Sequence, residues 1–138
     1  MRLMLALVFA ALVSLPARAG QQVNDLRFQN GATILHTVWE KGPVESPEES
    51  LLHLAWQSSD RSAIEAPGSF KVELFMPGMG HGSSPTQVSR ELDEQGQPLL
   101  GQYRVSSLYF TMPGLWEVRF TPRTPDGKSE TQKFVVSL

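Results

Sequence analysis

The chain has no cysteine at any of its 138 positions. That absence excludes a disulfide framework, a thiolate metal site and a lipid-modified cysteine together. After Gly20 it has no helical stripe of apolar residues longer than two turns, which favours β structure. Basic charge is also scarce, with 12 Lys+Arg against 14 Asp+Glu, and two of the arginines, Arg2 and Arg18, fall in the first 19 residues. Residues 20–138 are acidic on balance. They offer no basic surface with which to hold nucleic acid or an anionic bilayer. A long hydrophobic run is missing too: Leu3 to Leu15 is apolar over 13 residues, short of the roughly 20 that a membrane-crossing helix needs.

The start of the chain reads as a leader. Met1-Arg2 gives a positive end, Leu3 to Leu15 an apolar centre, and Ala17-Arg18-Ala19 a small-x-small site before Gly20. Residues 1–19 are therefore expected to be a cleaved signal peptide and residues 20–138 a single domain, periplasmic or secreted. No membrane anchor is expected to survive cleavage. About 120 residues suffice to fold on an apolar core alone.

From Gly20 onward the chain is short apolar stretches cut by turn residues, and all 11 glycines and all but one of the 10 prolines fall there. That punctuation predicts strands, at Thr33 to Glu40, Ser50 to Gln57, Ser69 to Met76, Gln87 to Leu92, Gly101 to Thr111, Leu115 to Thr121 and Glu130 to Leu138. The fold expected is all-β, an Ig-like antiparallel β-sandwich of about seven strands. Period-two alternation assigns the inward faces. Phe70, Val72, Leu74 and Met76 form one row, Leu52, Leu54 and Trp56 another, Trp116, Val118 and Phe120 a third, and Phe134, Val136 and Leu138 a fourth. In the long strand Tyr103 and Val105 share one parity while Leu108, Phe110 and Met112 share the other. A bulge at Ser106-Ser107 reconciles them.

The stretch from Met76 to Pro85 is the most unusual, with three glycines and two prolines in ten residues. It holds two methionines and a histidine. In an oxidising compartment without thiols, thioether sulfur and imidazole nitrogen suit Cu(I) best. Met79 and His81 are two apart, and in a locally extended segment they would point to one side, with Gly78, Gly80 and Gly82 letting the backbone bend around an ion. Met112 is the natural third ligand, because it opens a second Met-Pro-Gly turn. Met76 is a fourth candidate, although its parity sends it toward the core, where packing is the stronger expectation. His36 and His53 are read as ordinary strand histidines. Enzymatic patterns are weak: there is no Gly-x-Ser-x-Gly elbow, no His-Glu-x-x-His helix, and no Asp placed to orient His81 toward Ser83 or Ser84. The chain is read as a non-enzyme.

Three elements in order carry a family resemblance: Met76-Pro77-Gly78-Met79-Gly80-His81 after an apolar strand, Gly101-x-Tyr103, and Met112-Pro113-Gly114-Leu115-Trp116-Glu117-Val118. Over roughly Leu51 to Leu138 the chain resembles the YtkA-like domain family, a relative of the FixH group. That resemblance implies a small exported or membrane-tethered Ig-like sandwich, of a kind that in some cases accompanies copper handling or the assembly of copper-containing oxidases. The chain is also similar to periplasmic copper chaperones of the PCuAC type in using Met and His on a sandwich. It lacks their full spacing of two His and two Met, so that likeness extends to ligand type alone. The function expected is a periplasmic copper chaperone or buffer with Cu(I) at Met79, His81, Met112 and Met76, exchanging copper with a donor or acceptor protein. The alternative is a metal-free Ig-like interaction or assembly module.

Overall fold

The structure, a computed structural model, describes residues 22–138. The expected leader and its cleavage site before Gly20 lie outside the described residues. Among the described residues nine strands form: β1 (Val23–Phe28), β2 (Thr33–Lys41), β3 (Ser50–Ser58), β4 (Ser69–Met76), β5 (His81–Gly82), β6 (Gln87–Leu92), β7 (Pro98–Leu108), β8 (Leu115–Arg123) and β9 (Gln132–Ser137). Among the described residues the one helical element is a single 3-10 turn at Gln29–Gly31. The strands make two sheets, β1-β2-β3-β7-β6 and β5-β4-β8-β9, with every named pairing antiparallel. This is an antiparallel β-sandwich, as the alternating pattern predicts.

All seven expected strands are present, with two more. β1 lacks a clear apolar row, since only Leu26 and Phe28 turn inward among polar neighbours. β5 is two residues long and is held only by its pairing with the end of β4. β7 is displaced: it runs from Pro98 to Leu108 rather than from Gly101 to Thr111. The displacement has a physical cause. β3 begins at Ser50, opposite Leu108, so Phe110 pairs instead with Glu45 of the preceding loop, where Ser46 N donates to Phe110 O at 2.9 Å.

The predicted bulge forms where the parity changes. β3 and β7 pair Leu52 with Val105 and then Ser50 with Leu108, so Leu51 faces both Ser106 and Ser107. Ser107 has φ 57°, and its N–H donates to Glu49 Oε2 at 2.8 Å. The bulge lets Val105, Leu108 and Phe110 all reach the core.

That core lies between the sheets and contains the expected rows. Leu52, Leu54, Trp56, Trp116, Val118 and Phe120 are fully enclosed, and Val72, Leu74 and Val136 nearly so. Aromatic pairs knit the layers together: Trp39 meets Phe110 and Phe134, and Trp56 meets Phe28 and Phe70, all at centroid separations between 5.4 and 6.2 Å. Trp116 also donates from Nε1 to Met112 O at 2.9 Å.

Candidate metal-binding turns

Both Met-Pro-Gly turns lie at the same end of the sandwich because β4 and β8 run antiparallel, with Phe75 opposite Glu117. The last residue of β4 therefore sits beside the first residues of β8. In the first turn the Met76 carbonyl accepts from Met79 N at 3.1 Å and from Gly80 N at 2.9 Å. Gly80 takes φ +67°, which reverses the chain so that His81 pairs back onto Met76. In the second turn Gly114 and Leu138 exchange backbone hydrogen bonds of 2.9 and 3.0 Å, while the Met112 carbonyl is tied to Trp116.

The turns touch through a specific pair of atoms. A β-carbon placed on Gly114 would lie 3.2 Å from Met76 Cε, so the Met76 thioether arm rests against the second turn. Met76 is 5% exposed and belongs to the core, in line with its parity. Met112 is half-buried and packs on the same core. His81 faces Met76 across the β4–β5 pair, which puts the two side chains on one face of the sheet, with the imidazole exposed. Met79 is 59% exposed.

One expectation needs correction. Met79 and His81 do not share a face through an extended backbone, because residues 77–80 form a turn and only His81 is in a strand. The two hydrogen bonds to the Met76 carbonyl curl the chain at Met79. Met76, His81 and the Met112 to Gly114 turn are thus brought together by strand pairing, whereas Met79 projects from the loop tip.

Beside this rim, β5 stops after Gly82 and leaves the rest of the β4 edge to residues 83–86. Ser83 N donates to Leu74 O at 3.3 Å, and Thr86 Oγ1 donates to Val72 O at 2.6 Å. A cleft of about 650 Å³ runs there, lined by Phe70, Val72, Ser83, Thr86, Val88 and Arg119 among others.

The other two histidines lie on the outer face of the five-stranded sheet, and both have carboxylate partners. His36 Nδ1 is 2.7 Å from Asp25 Oδ1, and Arg61 Nη2 donates to Asp25 Oδ2 at 2.8 Å. The Arg61 guanidinium holds the Asp25 carboxyl below its ordinary value, burial opposes it, and His36 adds a lesser lowering. His53 Nδ1 is 3.5 Å from Glu91 Oε1. These partners are 11 and 38 positions away in the chain, so no local motif announces either pair.

No family model matches the chain, and no curated protein matches it. A solved crystal structure of a DUF4426 family protein from Pseudomonas aeruginosa PAO1 is similar in fold, with a TM-score of 0.58 and 14% identity over 88% of this chain and 97% of that one. At that identity the likeness establishes the β-sandwich and nothing of its chemistry.

Proposed function

We propose that this chain is an exported β-sandwich that binds Cu(I) at its paired Met-Pro-Gly turns and serves as a periplasmic copper chaperone or buffer. The observation that carries the reading is the contact of Met76 with the Gly114 turn, together with the pairing of His81 opposite Met76. It supports the reading by joining Met76, His81 and the turn from Met112 to Gly114, with Met79 projecting from the adjoining loop tip. These donors are neutral and soft or borderline, which suits a singly charged soft ion better than Zn(II). Exposed Met79 and His81 are suited to meet a donor or acceptor protein first, and Met112 and Met76 to hold the ion from the packed side. The YtkA-like and FixH resemblance agrees with this assignment, which does not depend on it. The rival reading is a metal-free interaction module, and the cleft along the β4 edge favours it.

Competition against a Cu(I) chelator under reducing conditions separates the two. Met79→Ala, His81→Ala and Met112→Ala should each weaken Cu(I) binding by about tenfold or more with the fold intact, while His36→Ala should leave it unchanged. Met76→Leu is the informative change at the core position, since it keeps the volume and removes the sulfur. A wild-type protein that takes no Cu(I) from a weak chelator makes the interaction module the better account. Export is tested by mass spectrometry of the native protein, which should begin at or near Gly20; an intact Met1 would contradict it.

A further inference from the structure

The outer face of the five-stranded sheet carries a second donor set whose chemistry is the opposite of the copper turns. His53 stands near its centre, opposite Val38 on β2 and Arg104 on β7. Glu40 is the unpaired residue where the β2–β3 register breaks between Trp39 and Lys41. Glu91 is likewise the unpaired residue where the β6–β7 register breaks between Arg90 and Leu92. The first break inserts Glu40 as an extra residue on β2, whereas at the second the extra residues, Leu99 to Gln102, are on β7 and Glu91 is left without a paired residue. Both carboxylates lean over the same imidazole. One ligand atom from each of Glu40, His53 and Glu91 lies within 4.8 Å of the other two.

We propose that Glu40, His53 and Glu91 form a binding site for a borderline divalent cation of the Zn(II) class. One imidazole nitrogen and two carboxylate oxygens are suitable Zn(II) donors at bonds of about 2.0 to 2.2 Å, and three protein ligands leave a position open for water. Donors around such an ion stand about 3.4 Å apart, so modest side-chain rotations from the present spacing close the site. Two anionic ligands match a double positive charge, whereas the neutral thioether turns do not. Arg104 is the internal competitor. Its Nη2 donates to Glu40 Oε2 at 2.7 Å, and its side chain is 45% exposed. An ion pair this open to water is weakly held, so an entering cation can displace the guanidinium from Glu40.

This site shares no residue with the copper turns, and either reading can fail without the other. The test is calorimetric titration of the whole purified protein with Zn(II) alone. One Zn(II) per chain is expected, weakened at least about tenfold in Glu40→Gln, His53→Asn and Glu91→Gln and tightened several-fold in Arg104→Gln. His36→Asn, which removes the other carboxylate-paired histidine of the same face, should match wild type. Thermal unfolding without metal confirms that each variant folds, and the Zn(II)-induced rise in Tm should vanish in the three ligand variants. Absence of Zn(II) binding in wild type would overturn the proposal. So would affinity unchanged in the three variants, or affinity lost in His36→Asn or His81→Asn while Glu91→Gln retains it.

Discussion

The Glu117 carboxylate, 4% exposed, accepts a hydrogen bond from Arg119 Nη2 at 2.9 Å on the outer face of the four-stranded sheet. Lys133, one strand away on β9, donates to its other oxygen. The Lys133 bond and then the Arg119 bond hold the Glu117 carboxyl below its ordinary value of 4.5, against a smaller opposing effect of burial. A carboxyl depressed in the folded state stabilises the fold above its unfolded value and loses that contribution as pH falls through the folded one. Glu117→Gln should therefore cost about 1 to 3 kcal/mol at neutral pH and flatten the decline in stability below about pH 4.5. Denaturant unfolding of both proteins between pH 7 and pH 3 checks this. Parallel stability curves would contradict it.

Trp116 fills the core opposite Phe110 at a centroid distance of 5.7 Å, and its indole N–H ties down the Met112 carbonyl. Trp116→Ala should cost on the order of 3 to 5 kcal/mol in denaturant unfolding. Trp116→Phe should cost less, while freeing the second Met-Pro-Gly turn. A loss below about 1 kcal/mol for the alanine variant would mean that the residue is not packed as described.

Gly101 has φ +69°, and a β-carbon there would lie 2.0 Å from the Ile64 carbonyl oxygen. Backbone cannot yield as a flexible side chain can. Gly101→Ala should therefore destabilise far more than Gly127→Ala, where φ is +82° but nothing lies within 4 Å of the added carbon. The second change should cost only about 1 to 2 kcal/mol, the ordinary penalty of the left-handed region. Equal unfolding midpoints for the two variants would contradict the close approach of β7 to the Ile64 backbone.

The inward rows of β3, β4, β8 and β9 were legible from the sequence alone, because alternation has a period of two and burial follows it residue by residue. The bulge at Ser106-Ser107 was legible for the same reason: a strand cannot switch the parity of its inward residues unless an extra residue is inserted. β1 was not legible, since an edge strand with two inward apolar residues carries almost no alternating signal. β5 was not legible either, because two residues form a strand only when a neighbour is already in place.

The donor types at Met76, Met79, His81 and Met112 are a property of the sequence, and so is the absence of any thiolate to compete with them. That the two turns adjoin is decided by the β4–β8 register, a pairing between segments about 40 residues apart. Glu40, His53 and Glu91 look like any polar residues of solvated strand faces when read along the chain. Only the register breaks on two different strand pairs bring them over one another. Alternation determines which side of a sheet a residue occupies, but its partners across the sheet depend on pairing order and bulge position, which long-range packing selects.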